Sequence, residues 1–189
     1  MKETINLHVK SRDLSKVSIE SERLILWPVS HDLNKQMLLS EFNENVTRWL
    51  LRGPNENIEG LDGFLMRQIA YAKAGTGLTL AILDKDGEFI GLTELHRTNT
   101  FAPEFGLWLK ESAWGQGFGT EAIFALFAWA SKNLDVDYFK YRADAENIGS
   151  WKIAEKLVAN YGGEFLGEKP ELMRGRKRIT KAYHILPKK

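Results

Sequence analysis

The chain of 189 residues is 43% hydrophobic and 27% charged, and its 26 Lys and Arg residues nearly balance its 25 Asp and Glu residues. This balance gives no reason to expect a nucleic-acid partner, and the lack of cysteine excludes disulfides, thiolate nucleophiles and cysteine-ligated zinc. Four scattered His residues make a poor metal cluster, so no metal is expected. No leader-like or membrane-spanning run is evident, so we expect a cytoplasmic protein with no membrane partner.

The first half of the chain predicts a strand, a helical region and a hairpin. Residues 1–20 are polar and weakly periodic, which predicts a loose arm before a single domain over residues 21–189. Arg23–Trp27 predicts a strand that ends at Pro28. Apolar residues between Asp32 and Ala74 recur at helical spacing and predict two or three helices.

The second half alternates between strand-like and helix-like patterns. A hairpin is predicted where strand-like residues flank Asp84-Lys85-Asp86-Gly87, because the Asp-Gly pair favours a tight turn. The later elements are, in chain order, a strand at 104–109, a helix at 119–133, a strand at 138–143, a helix at 147–160, and strands near 163–165 and 179–185. The class is therefore mixed α/β (α+β), with a mostly antiparallel twisted sheet of about seven strands.

The segment Trp114–Ala122 carries three alternate glycines between a predicted strand and a predicted helix. Glycines let successive backbone N–H groups converge, and the helix N-terminus adds positive potential, so the loop is typical of a diphosphate site. A Walker loop needs Lys followed by Ser or Thr where this chain has Thr120-Glu121, which excludes that interpretation. A dinucleotide fingerprint needs Gly or Ala at Thr120, so it is weakened, although Asp144 stands where a ribose-binding acid would lie.

The same loop resembles the pyrophosphate loop of coenzyme A-dependent acetyltransferases. Trp114-Gly115-Gln116-Gly117-Phe118-Gly119-Thr120-Glu121-Ala122 is similar to the signature W-G-x-G-x-[AG]-T-E-A of the GCN5-related N-acetyltransferase superfamily, in its ribosomal-protein N-terminal acetyltransferase-like branch. Four further segments agree in order: Ser21–Leu26 with T-E-R-L-x-L, Phe89–Gly91 with I-G, Glu104–Leu109 with E-I-G-Y-W-L, and Asn147–Ser150 before Glu155–Leu157 with N-x-x-S and E-K-L. The branch continues with G-F where this chain has Val158–Gly163, so we expect a differently shaped helix end and acyl pocket there.

The resemblance implies a single domain with helices on both faces of the sheet and a splay between its fourth and fifth strands. It also implies acetyl-CoA as co-substrate and direct transfer of the acetyl group to a primary amine, with no metal. The pantetheine and thioester would contact the backbone of Leu107, Trp108 and Leu109. The pyrophosphate would be bound by the N–H groups of Gln116, Gly117, Phe118, Gly119 and Thr120, and the pantetheine also by the Asn147 side chain.

Five polar residues are candidates for the chemistry. Glu104, at the start of the splayed strand, is either a general base acting through water or a carboxylate that attracts the cationic amine. Glu94 would share the role of base if its side chain points into the cleft. Asn147 is by default a helix N-cap, which is compatible with binding the coenzyme. Ser150 is the candidate proton donor to the leaving thiolate, with Tyr161 as a rival for which packing is the simpler role.

The acceptor is less well indicated than the donor. By resemblance alone, a protein or peptide N-terminal amine is favoured, with small amines such as polyamines or antibiotics as the alternative and a non-catalytic acyl-CoA sensor as another. The helices between Asp32 and Ala74 would shape the acceptor pocket. The basic cluster Arg174–Arg178 is interpreted as a solvated hairpin turn, with contacts to the coenzyme, an acidic substrate or RNA as alternatives. A monomer and a homodimer are both open.

Overall fold

The computed structural model describes residues 12–30, 41–50 and 58–188. Within these ranges eight strands form one sheet in the order β1-β2-β3-β4-β5-β6-β8-β7. The strands are β1 (Ile19–Glu20), β2 (Leu24–Pro28), β3 (Gly77–Asp84), β4 (Phe89–His96), β5 (Glu104–Leu109), β6 (Phe139–Asp144), β7 (Gly163–Met173) and β8 (Arg176–Ile185). The helices are α1 (Glu44–Thr47), α2 (Ile58–Ala74), α3 (Phe118–Asn133) and α4 (Ile148–Tyr161), and a short 3-10 helix spans Glu111–Ala113.

The sheet has one strand more than the predicted seven. The extra strand, β1, pairs with β2 through Ile19 and Leu26. Leu14 is also buried, and its N–H donates to the Ala72 carbonyl at 2.8 Å. Residues 12–20, expected to be a loose arm, therefore pack on the fold, because the apolar side chains of Leu14, Val17 and Ile19 lie against the core. Residues 1–11 lie outside the described part.

The predicted hairpin and helices match the described elements closely. β3 and β4 pair antiparallel, and the Asp84 carboxylate caps their turn by accepting from the N–H groups of Asp86 and Glu88. Gly87 has φ +88°, the left-handed conformation that the Asp-Gly pair predicted. Of the two or three helices predicted between Asp32 and Ala74, α1 and α2 are described, and the rest of that stretch lies outside the described residues.

Helices cover both faces of the sheet, as predicted. On one face α2 packs its apolar side on β3, β4 and Trp108 of β5. On the other face α3 and α4 bury a larger core that includes Phe105, Phe127, Phe139 and Tyr141. Because side chains alternate along a strand, neighbouring residues of β5 and β6 face opposite cores.

The sheet opens between β5 and β6, which are parallel, whereas the other strand pairs of the described residues are antiparallel. These strands pair at Glu104 with Lys140 and at Phe105 with Tyr141, and the register stops there. β5 pairs with β4 along its whole length, so residues 106–109 keep their partner on one edge and leave the other edge unpaired with β6. The expected splay is therefore confirmed; it falls at the fifth and sixth strands because β1 precedes them.

Candidate active site

A cleft of about 550 Å³ occupies the splay. Its walls come from the β5 residues Leu107, Trp108 and Leu109, from the glycine loop, and from the start of α4. Residues of α1 and the segment after it, Val46, Trp49 and Leu50, line the far end. The cleft thus connects the loop on one face of the sheet with the helical region on the other face.

The glycine loop takes its shape from backbone conformations that side chains disfavour. Gly115 and Gly117 have φ angles of +74° and +83°, in the left-handed region. Gly119 has no such angle, but a Cβ there would lie 3.0 Å from Leu107 Cδ2, tighter than ordinary contacts. α3 begins at Phe118, so the N–H groups of its first turn lack intrahelical acceptors. The loop therefore presents several donors and a positive helix end to the cleft.

The loop is braced by a segment almost a hundred residues earlier in the chain. The Glu121 carboxylate accepts hydrogen bonds of 2.7 Å from Ser21 Oγ, from the Arg23 N–H and from Arg23 Nε. Arg23 Nη1 also donates to the Gln116 carbonyl at 3.0 Å, and its guanidinium lies over the Phe118 ring. Partial burial opposes ionisation of Glu121, but the hydrogen bonds outweigh it and hold the pKa of this carboxyl below its usual value.

The floor of the cleft depends on close backbone packing. A Cβ on Gly91 would lie 2.2 Å from the Trp108 carbonyl oxygen, so only glycine lets β4 approach β5 there. The Trp108 ring packs between Phe42 and Phe89, at 4.9 and 5.7 Å between ring centroids. Trp114 Nε1 donates to the Leu109 carbonyl at 2.9 Å and so ties the loop to the end of β5.

Asn147 and Ser150 both line the cleft at the start of α4. Asn147 is the N-cap, as predicted, because its Oδ1 accepts from the Ser150 N–H at 3.2 Å. Ser150 Oγ lies 3.2 Å from the Tyr141 hydroxyl. Burial raises the pKa of Tyr141 to about 12, although the bond to Ser150 opposes the shift, so this phenol keeps its proton at neutral pH. The serine is thus in contact with a protonated hydroxyl.

Tyr161, the rival proton donor, lies at the other end of α4. Its ring packs on Phe127 at 4.5 Å and on Phe124 at 6.0 Å between centroids. It is not among the residues that line the cleft. The packing interpretation fits this placement.

Glu104 lies outside the cleft lining, on the opposite face of β5 from Phe105. Its Oε1 accepts from Arg142 Nε at 2.8 Å, and Arg142 Nη1 also donates to Glu171 at 3.3 Å. The hydrogen bond and charge of Glu104 raise the pKa of Arg142 despite its partial burial. Glu104 is therefore held in an ion-paired group with Arg142 and Glu171, which no local sequence pattern predicts.

Glu94 shares that face of the sheet and sits closer to Trp108. It pairs across the strands with Gly106, whereas Glu104 pairs with His96. Its carboxylate lies 3.6 Å from His96 Nε2 and 3.4 Å from Thr79 Oγ1. A Cβ on Gly106 would come within 3.3 Å of Glu94, so the glycine leaves this carboxylate room beside β5.

The basic cluster Arg174–Arg178 forms the β7–β8 turn, and two of its arginines also contact other parts of the fold. Arg178 lies 3.6 Å from the buried Asp144 and 3.3 Å from Glu146. Arg174 donates to the Thr47 carbonyl at 3.3 Å and lies 3.7 Å from Glu44. The hairpin tip therefore reaches across to α1, which corrects the solvated-turn interpretation for these two side chains.

Within the described ranges, no three or more His, Asp and Glu side chains are grouped so that they could hold a metal ion, and no helix is long and apolar enough to cross a membrane. Three residues of the site were absent from the sequence-based candidates. They are Arg23, Tyr141 and Arg142, whose roles depend on partners 29 or more residues away or on a neighbouring helix. Among them, Arg23 alone belongs to a segment that the sequence had indicated, Ser21–Leu26.

A glycine loop at a helix N-terminus, beside two parallel strands that separate, fits the class of acyl-coenzyme A-dependent transferases. The family model described as an acetyltransferase (GNAT) domain matches residues 23–159. The chain therefore belongs to the GNAT acetyltransferase family and is an N-acetyltransferase by class. Enzymes of this family use acetyl-CoA.

Solved structures share the fold. A spermidine N-acetyltransferase from Vibrio cholerae, in complex with CoA and spermine, is 20% identical with a TM-score of 0.73, covering 87% of this chain and 95% of its own. A Salmonella typhimurium acetyltransferase that modifies the N-terminal serine of ribosomal protein L7/L12 is 18% identical with a TM-score of 0.74, covering 90% and 99%. A GCN5-related N-acetyltransferase from Brucella melitensis is 20% identical with a TM-score of 0.74, covering 93% and 81%. A search of curated protein sequences found no significant match.

Proposed function

We propose that the protein transfers an acetyl group from acetyl-CoA directly to the N-terminal amine of a peptide or protein. The observation that carries the proposal is the single cleft in which the glycine loop, the unpaired edge of β5 and the start of α4 meet. The first holds an anion, the second offers backbone hydrogen bonds, and the third supplies Asn147 and Ser150. The N-terminal amine is further supported by the resemblance to the ribosomal-protein acetyltransferase branch.

The residues of the cleft fit acetyl-CoA. The pyrophosphate would be held by the backbone N–H groups of Gln116, Gly117, Phe118, Gly119 and Thr120. Two of these residues are glycines, which leave room for the ligand, and a helix begins within the loop at Phe118. The free edge of Leu107–Leu109 would pair with the pantetheine amides, as a strand pairs with another strand. The bound coenzyme would supply a thioester carbonyl for attack by the amine. The Asn147 amide group is placed to donate a further hydrogen bond while its Oδ1 caps α4.

The proton that the amine gives up is proposed to pass to Glu94, through water. Glu94 lies opposite Gly106 on the neighbouring strand. Gly106 is two residues, or about 7 Å along the strand, from Trp108, where the thioester is proposed to lie. Glu104 is about twice as far from Trp108 and is already paired with Arg142. Of the two candidate roles of Glu104, general base and electrostatic attraction, we therefore assign it the second. Its carboxylate would attract and orient the cationic amine as the amine enters the cleft.

The proton that the leaving thiolate needs is proposed to come from Ser150. A serine hydroxyl alone is a weak acid, but Tyr141 can pass its own proton to Ser150 as the serine gives one up to the thiolate. Once the thiol has left, the phenolate of Tyr141 takes a proton back through Ser150 from water that enters the cleft. Because Tyr141 keeps its proton to about pH 12, this relay is loaded throughout the physiological range. Attack and departure are thus assisted from opposite faces of β5.

The decisive experiment is a thiol-release screen with acetyl-CoA against peptides with free N-termini, the same peptides with blocked N-termini, spermine and aminoglycosides. Release with free but not blocked peptides, and mass increase at the α-amine, would support the proposal. Faster release with spermine or aminoglycosides than with any peptide would move the function to small amines. Binding of acetyl-CoA without release by any acceptor would favour the sensor.

A further inference from the structure

The His96 side chain, at the end of β4, lies beside the carboxylate that is proposed to take the proton of the amine. Its Nε2 is 3.6 Å from Glu94 Oε2, and the two residues share one face of β4 because side chains alternate along a strand. The His96 side chain is 49% exposed and that of Glu94 is 20% exposed, so the imidazole is the more open of the two to water. The proposed chemistry gives His96 no role.

Both side chains lean over Gly106 of β5. A Cβ on Gly106 would lie 3.1 Å from His96 Nε2 and 3.3 Å from Glu94 Oε2, so the two groups meet where the glycine has no side chain. Gly106 comes directly before the cleft-lining residues 107–109, and the pairing of β5 with β6 has ended there. The imidazole and the carboxylate therefore stand together at the end of the splay.

The other polar contact of Glu94 is with a threonine. Thr79 Oγ1 lies 3.4 Å from Glu94 Oε1 and 2.9 Å from Gln68 Oε1. A hydroxyl has one hydrogen to donate, and the shorter of its two contacts is the stronger one. Of the described side chains in contact with Glu94, His96 is therefore the one that can accept a proton from it near neutral pH.

Glu104 of β5 is the residue directly opposite His96. Its carboxylate accepts from Arg142 Nε at 2.8 Å, which turns it towards β6. Within the described ranges, Glu94 is the carboxylate in contact with His96. The imidazole thus lies beside the proposed base and next to the residue proposed to attract the amine.

The chemistry of an amine acceptor favours a second proton acceptor. A carboxylate is a much weaker base than an aliphatic amine, so a proton taken from an ammonium rests on a carboxylate in only a small fraction of molecules. An imidazole is a stronger base than a carboxylate and holds such a proton more readily. A carboxylate next to the imidazole stabilises the imidazolium that results.

We propose that His96 is a positioning residue for Glu94 and the final acceptor of the proton that the amine gives up. The inference rests on the proposed function, whose base it completes. The ammonium passes a proton through water to Glu94, and the resulting carboxylic acid passes it from Oε2 to Nε2 of the neutral imidazole. The products are the free amine, the Glu94 carboxylate and the His96 imidazolium, which loses its proton to water after the acetyl transfer. A small rotation of the exposed imidazole closes the gap of 3.6 Å, as catalytic hydrogen bonds commonly tighten when substrate binds.

The test starts from His96→Gln, which keeps a polar side chain but has no basic nitrogen. We expect kcat by thiol release to fall at least about tenfold, since a positioned proton acceptor commonly contributes about a hundredfold or more. The KM for acetyl-CoA and the melting temperature should stay close to the wild-type values. His184→Gln is the matched control and should keep its kcat, because His184 lies on β8 and stacks on Tyr138. Full wild-type kcat in His96→Gln would overturn the inference.

Added imidazole separates a proton acceptor from a merely structural side chain. Imidazole should raise the kcat of His96→Gln at least about threefold, after subtraction of release without enzyme, and should leave the wild type and His184→Gln unchanged. Pyrazole has the same shape but is a much weaker base, so it should restore little. No recovery with imidazole, or equal recovery with pyrazole, would show that His96 does not accept a proton.

The double variant tests whether His96 acts through Glu94. Adding His96→Gln to Glu94→Gln should cost less than about a further twofold in kcat, because a residue that acts through another contributes little once that one is lost. A second loss of about tenfold would place His96 on a separate route and contradict the proposal.

The choice of acceptor keeps the inference distinct from the proposed function. Every amine must lose a proton before it attacks, so the variants are compared with whichever acceptor of the screen gives the fastest release. Fastest release with spermine would change the proposed acceptor and leave the His96 comparison in force. Wild-type release with no acceptor would count against the proposed function and remove the inference with it, whereas equal release by the wild type and His96→Gln removes the inference alone.

Discussion

Neighbouring residues of β5 and β6 lie on opposite faces of the sheet, and the two faces differ in burial and in charge. Tyr141 is buried against α4, where its hydroxyl meets Ser150, whereas Arg142, the next residue, is partly exposed and holds two carboxylates. The first face and its adjoining loop are built from glycines, apolar side chains and backbone groups. The second face is the one that α2 covers over β3 and β4. Over β5 and β6 it carries partly exposed ion pairs instead. The proposed donor side is therefore shaped by backbone geometry, whereas the proposed acceptor side consists of long charged side chains that substitution can change at little cost in stability.

The largest effect is expected at the donor loop. Gly117→Asp forces an Asp into a backbone with φ +83° and sets a carboxylate where the pyrophosphate is proposed to bind. We expect a loss of acetyl-CoA affinity of about a hundredfold, or about 2.7 kcal/mol, by calorimetry. Gly117→Asn makes the same backbone demand without charge and should lose much less. Equal losses for the two variants would show that charge at this position is irrelevant to the ligand.

The next effect tests the relay on the buried face. Ser150→Ala should lower kcat by about thirtyfold with little change in the KM for acetyl-CoA, because only the departing thiolate is affected. Tyr141→Phe should do nearly the same, and the double variant should be no worse than the poorer single one. Additive losses in the double variant would separate the two hydroxyls.

Tyr183 offers a matched control on the same face, since burial raises its pKa to about 12 as it does for Tyr141. For each tyrosine the folded-state pKa exceeds the usual 10, so its stabilisation is complete below pH 10 and is lost as the pH rises towards 12. Both Tyr→Phe variants should flatten the alkaline fall in stability, measured by denaturant titration. Only Tyr141→Phe should lower kcat at pH 8.

Loss of the contacts that brace the glycine loop should change the KM for acetyl-CoA about tenfold. Arg23→Met removes the bonds to Glu121 and to the Gln116 carbonyl, so we expect the KM for acetyl-CoA to rise about tenfold and that for the acceptor to stay constant. Arg23→Lys keeps the positive charge but not the several N–H donors of the guanidinium, so it should reverse only part of the rise in the KM for acetyl-CoA. Because the pKa of Glu121 is lowered, the brace is complete above its usual pKa of 4.5 and is lost as the pH falls below it. A rise in the acceptor KM instead would place Arg23 outside the donor side.

The smallest effect is expected on the charged face. Glu104→Gln should lower kcat/KM by about threefold through the acceptor KM, because this carboxylate is proposed only to steer the amine and shares Arg142 with Glu171. Glu94→Gln should lower kcat more, and most at low pH, where an amine most needs a proton acceptor. The assignment of the two carboxylates would be reversed if Glu104→Gln showed the larger and more pH-dependent loss.

Local patterns predicted the elements that local chemistry builds. The Asp-Gly pair at Asp86 predicted the β3–β4 hairpin, and the spacing of apolar residues predicted α3 and α4 to within one residue at each end. β1 was missed because two residues give no periodicity to detect. Arg142 and Arg178 were missed as anchored residues because their partners lie on other strands and connections, and nothing in the local pattern distinguishes a paired arginine from a solvated one.

The sequence by itself determined the proposed donor side of this protein, because a glycine loop must be encoded where it is used and its neighbours in the chain form its strand and helix. Tertiary structure alone decided which charged groups meet on the proposed acceptor side. Only folding brings Glu104 to Arg142 and sets Lys140 opposite His184. The balanced total charge of the sequence does not show these pairings, because charge acts through distance in space and not through position along the chain.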